Sequence, residues 1–319
     1  MQEQNLRAVI WPLLHPDGGI MYCDRFSWRE MEKEQGIYDF DGILKAVRRA
    51  KSIKRFALLR IQPDVPAGVR EPLEGFLRLI NALGEQFSGE RAIWGVDVLC
   101  PGEETEAACF AIADAFCRAF PHAVQFVHAG SAFEGMIKGC GTIVTTENVG
   151  KYVDAWRHTP LRMAVDVQNP EAVQGAIDNH IAILEACDVR ASNAASHAGH
   201  RFQVKTVALK PGEGEGTEAA ITVANVGGLP CYTKARFCLR LNGSDVPDAR
   251  VFPLPLEAAD VGPGMETTVT QTLDTKGLSS GEYDVHVGLF CEGTEYPISF
   301  GIEGRISDGY YEGRLILCV

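Results

Sequence analysis

Two apolar patterns alternate along roughly residues 7–190. Short unbroken apolar runs read as buried strands, and runs spaced three and four apart read as helix faces. Ile20 to Phe26 is a run of the first kind. A polar stretch, Trp28 to Asp39, follows it. Asp41 then caps a predicted helix over 42–53, with Ile43, Leu44, Val47 and Ala50 on one face. Phe56 to Leu59 opens a second buried strand that runs into Arg60, Gln62 and Asp64. Strand, helix and strand in this order predict a parallel βαβ unit.

The alternation continues. A helix is predicted over 72–87, with Leu73, Phe76, Leu77, Leu79, Ile80 and Leu83 as its stripe. Strands are predicted at 92–99, 124–128, 142–145, 161–167 and 186–190, with helices leading to Phe120, near 148–157 and over 170–184. With the apolar run at 7–14 as a first strand, eight strands result. This predicts a short or trimmed (β/α)8 TIM-like barrel over residues 1–198, against about 250 residues for a usual barrel. Near residue 200 the helical spacing stops. Seven strand-like runs separated by Gly, Pro, Asn and Asp turns predict a β-sandwich of immunoglobulin-like type over 199–319.

Composition narrows the function classes. A formal charge of −12 over 319 residues argues against nucleic-acid binding, which needs clustered Lys and Arg. No apolar run approaches the ~20 residues of a membrane span. The start, MQEQNLRAVIWPLL, lacks the basic stretch, long apolar run and small-residue cleavage site of a secretory signal. This fits a cytoplasmic protein, or an exported one whose signal has been removed. The ten cysteines are scattered without a C-x-x-C and read as buried free thiols. No cofactor is expected. There is no Gly-rich phosphate loop and no G-x-S-x-G, and His15, His197 and His200 show no metal spacing.

Two resemblances bear on function. Trp28, Glu32, Gly36, Tyr38, Asp39 and Phe40 resemble the W-x-x-x-E-x-x-x-G-x-Y-x-F segment of glycoside-hydrolase barrels of the β-galactosidase type. That resemblance implies a barrel and a carbohydrate ligand, and it supplies no catalytic residue. The second covers the C-terminal half: His200-Arg201-Phe202, Asn225 to Pro230 with Tyr232, Pro263-Gly264, Gly281-Glu282-Tyr283 and Asp308 to Tyr311. In order and spacing these are similar to the bacterial family catalogued as domain of unknown function 4832. That family joins a glycoside-hydrolase-like barrel to a β-sandwich.

Glycosidases work with two carboxylates, about 5 Å apart for retention and roughly 6.5–9.5 Å for inversion. In a parallel barrel these sit just after strands. Counting from Asp97, Gly102 and Glu106 match the family's acidic motif, while Glu104 and Thr105 stand where Trp and Gly are expected. Glu106 is therefore the candidate acid/base after strand four, with Glu103 and Glu104 as alternates. Asp166, after strand seven, is the candidate nucleophile in a place that usually holds Glu. The plainer reading of these acids is a helix start favoured by the dipole and a strand-end cap. Glu147, Arg25, Arg60 and His128 are candidate sugar-binding residues near strand ends, and Trp28 is a candidate sugar platform. Arg60 has an alternative role, pairing with a buried acid such as Asp97. The expected function is hydrolysis of a glycosidic bond. The alternatives are a non-catalytic carbohydrate-binding protein on a degenerate barrel and an assembly module built on the sandwich.

Overall fold

The structure, a computed structural model, describes residues 8–11, 19–102, 105–166, 169–186, 199–211, 216–244, 247–294, 296–298, 300 and 308–318. Glu103 and Glu104, positions 12–14 of the predicted first strand, 187–190 of the predicted last barrel strand and 195–198 of the predicted boundary lie outside the described residues. The described chain divides into two compact units, one ending at Ala186 and one beginning at Gly199.

The first unit contains β1 (Ala8–Trp11), β2 (Gly19–Ser27), α1 (Trp28–Met31), β3 (Glu32–Glu34), β4 (Ile37–Tyr38), α2 (Asp41–Ser52), β5 (Ala57–Gln62) and α3 (Pro72–Phe87). It continues with β6 (Ile93–Asp97), α4 (Glu106–Ala119), β7 (Val124–His128), β8 (Gly141–Val144), β9 (Leu161–Ala164), α5 (Pro170–Asp178) and β10 (Ile183–Ala186). Seven parallel strands, ordered β2-β5-β6-β7-β8-β9-β10, form a curled sheet. β1 pairs antiparallel with both β2 and β10 and closes the ring.

The orientation of β1 corrects the expectation of an all-parallel (β/α)8 ring. Only residues 12–18 join β1 to β2, and a parallel neighbour needs a crossover of a dozen or more residues. The strand count at the mouth changes with it. β6 and β9 are the third and sixth parallel strands, while the fourth and seventh are β7 and β10.

The helices follow their stripes. α2 buries Ile43, Ala46, Val47 and Ala50, and α3 starts at Pro72 and buries Phe76, Leu79, Ile80, Leu83 and Phe87. Apart from Ala46, these residues join the outward faces of β5 and β6 and the inner face of α4 in one apolar core. α5 is shorter than expected. Asn169 caps it by accepting from the Glu171 and Ala172 amides. It ends at Asp178, and His180 takes a positive φ of 55° as the chain turns into β10. The helix expected near 148–157 is two 3-10 turns, Val149–Tyr152 and Ala155–Arg157.

Register decides which side chains fill the ring. Arg25, Arg60, Asp97, Phe126 and Gly141 lie side by side across β2, β5, β6, β7 and β8. Phe126 is fully buried. It fits because its neighbours are glycines: a Cβ on Gly95 would come within 2.9 Å of the ring, and one on Gly141 would overlap it.

The second unit contains β11 (Phe202–Pro211), β12 (Thr217–Asn225), β13 (Ala235–Gly243), β14 (Ala249–Glu257), β15 (Glu266–Leu273), β16 (Glu282–Cys291) and β17 (Tyr311–Cys318). They form two antiparallel sheets, β11-β12-β15 and β14-β13-β16-β17. β14 was not expected, since Pro253 and Pro255 interrupt its apolar pattern. It is an edge strand bonded only to β13, where a missing N–H costs least. The run at 296–302 was expected to be a strand. Its described part makes one isolated bridge, Phe290 to Pro297. Phe202 of one sheet meets Phe237 of the other edge-on, with centroids 5.5 Å apart. Among the described residues, no helix is long and apolar enough to cross a membrane.

Candidate functional site

The W-x-x-x-E segment folds into a clamp on itself. The Trp28 indole N–H donates to Glu32 Oε2 at 2.5 Å, and the Gly36 amide donates to Glu32 Oε1 at 2.6 Å. Gly36 takes a φ of 78°, the left-handed region that the turn between β3 and β4 requires. Tyr38 stacks on Phe40 at 5.7 Å, and Phe40 meets Phe87 of α3. Asp64, after β5, accepts from Ser27 Oγ and the Trp28 amide, fixing the entry to α1. Trp28, Glu32, Gly36, Tyr38 and Phe40 therefore each have a local structural task.

Trp28 is thereby corrected as a sugar platform. It is fully buried against Phe76, with centroids 5.4 Å apart, and a Cβ on Gly75 would come within 2.8 Å of its ring. Stacking on a sugar needs an exposed ring face, and this ring has none.

The described acids among the candidates, Glu106, Asp166 and Glu147, are exposed. Glu106 is exposed in the first turn of α4, a helix whose N-cap Thr105 accepts from the Ala108 amide. A carboxylate in that turn is favoured by the helix dipole. Asp166 is exposed two residues past β9. Glu147 is exposed in the turn after β8, and hydrogen bonding from Thr145 lowers its pKa. Glu106 and Asp166 follow the third and sixth parallel strands, not the fourth and seventh that the assignment of acid/base and nucleophile required.

The charged groups that converge are different ones. Arg162 of β9 is fully buried. Its Nη1 donates to Asp97 Oδ1 at 2.5 Å and its Nη2 to Glu185 Oε2 at 2.8 Å. Arg60 Nε donates to Asp97 Oδ2, and Arg60 Nη2 lies 3.6 Å from Glu185 Oε2. Arg25 Nη2 lies 3.8 Å from Glu185 Oε1. The Arg162 guanidinium stands over the Phe126 ring, 5.7 Å from its centroid. Two carboxylates thus share one guanidinium fork, with two more arginines alongside. Such charge-assisted bonds are the strong ones, and they lock side-chain geometry.

The network has a solvent edge. The Arg25 side chain is 37% exposed. His128 ends β7 and is exposed. Partial desolvation lowers its pKa, with Asp97 pulling the other way and Arg60 and Arg162 reinforcing the shift. A lowered pKa leaves the imidazole neutral at pH 7, able to donate from one nitrogen and accept at the other. Asp97, His128 and Glu185 all lie in the C-terminal halves of their strands, the end where parallel barrels hold ligands.

No family model matches the chain, and no curated protein matches it. Solved structures do. Endo-glycoceramidase II from Rhodococcus sp. aligns with a TM-score of 0.43 at 12% identity, covering 80% of this chain and 89% of that one. A xyloglucanase of glycoside hydrolase family 44 from Paenibacillus polymyxa aligns with a TM-score of 0.30 at 8% identity, covering 72% and 82%. A β-glucosidase from Listeria innocua aligns with a TM-score of 0.22 at 12% identity, covering 81% of this chain and 49% of that one. The chain is similar to glycoside hydrolases, and at these scores the likeness carries no argument about its site.

Of the candidates, Arg25, Arg60 and His128 sit at the ionic centre or its edge. Arg162 and Glu185 were missed. The signal for both was a charged residue inside a short apolar strand, LRMA and ILEA. An acid and a base buried in strands of one sheet need partners, and each is the other's.

Proposed function

We propose that this chain binds carbohydrate at the C-terminal end of a glycoside-hydrolase-like barrel and holds the sugar without cleaving it. The barrel is joined to a β-sandwich, an arrangement similar to that of the domain-of-unknown-function 4832 family. The observation that carries the reading is the state of the interior acids. Asp97 and Glu185 both accept from arginine, so neither is set up to give a proton to a leaving oxygen. Glu106 and Asp166, the acids expected to do this work, are exposed. Arg25 and neutral His128 at the rim supply the donors and acceptor that sugar hydroxyls use.

A second reading keeps hydrolysis, because Glu185 lies on the seventh parallel strand, where a nucleophile belongs. The loop after β7 carries a second acid for this reading, Glu134, whose carboxylate accepts from Tyr152 Oη at 2.6 Å and from the Gly130 amide at 2.8 Å. A panel of aryl glycosides and oligosaccharides separates the two readings. Binding without turnover is the expected result, unchanged in Glu106→Gln and Asp166→Asn. Turnover that Glu185→Gln and Glu134→Gln each abolish establishes the second reading and ends the first.

A further inference from the structure

We propose that Tyr152 is a sugar-contacting residue of the barrel mouth, its ring a platform for the apolar face of a pyranose, and that Glu134 is the positioning residue that holds this ring. The inference rests on the reading of the barrel as a carbohydrate-binding unit and names a side chain that the sugar meets.

Place is the first argument. β8 ends at Val144, and Tyr152 closes the 3-10 turn that comes next. β7 ends at His128, and Glu134 lies six residues further on. Both belong to connections at the C-terminal ends of parallel strands, where such barrels hold ligands. The two connections meet, since Tyr152 Oη donates to Glu134 Oε1 at 2.6 Å. Glu134 Oε2 accepts from the Gly130 amide at 2.8 Å, and Gly130 is two residues past His128. One carboxylate thus ties the phenol to the backbone beside the rim imidazole.

The connection between β7 and β8 holds that carboxylate still. It is a succession of tight turns. The Ser131 amide donates to His128 O at 3.0 Å, the Glu134 amide to Ser131 O at 3.1 Å and the Met136 amide to Phe133 O at 3.0 Å. Phe133 and Ile137 are buried in the apolar core and anchor the loop, while Glu134 between them is exposed.

Stacking on a sugar needs an open aromatic face. Trp28, Phe40 and Phe133 also follow barrel strands, and all three are buried. Tyr38 is stacked on Phe40. Tyr152 is only part-buried, and among the described residues it pairs with no other aromatic ring. Val153 beside it is 60% exposed and extends the apolar surface. Burial and the hydrogen-bonded Glu134 carboxylate push the Tyr152 phenol up to about 12, so at pH 7 the hydroxyl keeps its proton and its bond to Glu134. A ring fixed before the ligand arrives has less freedom to lose on binding.

The test is calorimetric titration of the full chain with glucose-, galactose-, mannose- and xylose-based oligosaccharides, beside Tyr152→Ala, Tyr152→Phe, Glu134→Gln and the double variant of Glu134→Gln with Tyr152→Ala. Tyr152→Ala is expected to weaken the tightest-binding of these sugars about 10-fold, the order of one aromatic contact, with the melting temperature near wild type. Tyr152→Phe keeps the ring and should lose less. Sugar binding should perturb tyrosine absorbance in wild type, and both Tyr152 variants should lack that difference spectrum. Glu134→Gln should weaken binding in wild type and cost nothing further once Tyr152 is alanine. An equal cost in both backgrounds overturns the positioning role. Wild-type affinity in Tyr152→Ala, or a difference spectrum that survives it, overturns the platform and leaves the carbohydrate reading standing. Failure of every sugar to bind wild type overturns both.

Discussion

Arg162→Met is expected to cost about 3–5 kcal/mol of barrel stability, because it removes the buried guanidinium that Asp97 and Glu185 share and leaves Asp97 with Arg60 and Glu185 with longer contacts to Arg60 and Arg25. Arg162 is the keystone of the ionic centre. It is fully buried, and it is the group on which both acids converge. The four tryptophans, at 11, 28, 94 and 156, all belong to the first unit, so urea denaturation followed by tryptophan fluorescence reads that unit's unfolding. The double variant Arg162→Met with Asp97→Leu should cost less than the two single changes added, since each removes the reason for the other. An Arg162→Met chain that loses under about 1 kcal/mol would mean that the acids have other partners of equal strength.

Asn225→Leu is expected to unsettle the second unit by at least about 3 kcal/mol. Asn225 is fully buried, and its amide is used completely. Oδ1 accepts from the Arg201 and Gly227 amides, each at 3.0 Å. Nδ2 donates to Leu229 O at 2.9 Å and to Val261 O at 3.1 Å. One side chain thus ties the start of β11, the Asn-Val-Gly-Gly-Leu-Pro loop and the turn before β15. Leucine keeps the volume and abandons two part-buried amides and two buried carbonyl bonds. Gly227 adds to the constraint, since a Cβ there would strike the Gly199 carbonyl and the Arg201 amide. Amide hydrogen exchange on peptides from β11 and β12 measures the effect. Protection within twofold of wild type would contradict it.

These two residues show what the sequence made legible and what it did not. α3 was readable to its ends, because Pro72, a clean apolar stripe and Ser88-Gly89 mark it without reference to anything distant. β7 was readable for the same local reason. β1 was visible as a strand, but its direction depends on which edges it joins, and that is set by the short connection at 12–18. β14 was hidden because its prolines are tolerated only at an edge, and edges are defined by the finished sheet. The acids illustrate the larger limit. Glu106 was prominent because it lies in a motif-like run, yet its exposure and its place in α4 make it a helix-start acid. Glu185 was inconspicuous inside ILEA, yet register brings it to Arg162, Arg60 and Arg25. Trp28 and Glu32 were recognisable as a motif, and only the hydrogen bond between them shows that the motif serves the fold.

Sugar is expected at the C-terminal end of the barrel, over the ionic centre. A crystal structure of the chain grown with the tightest-binding glycan of the oligosaccharide panel decides this. The account predicts a sugar in contact with Arg25 and His128, with Asp97 and Glu185 still paired to Arg162. A sugar bound on the β-sheets of the second unit, or one whose glycosidic bond has been cleaved beside Glu185, would contradict it.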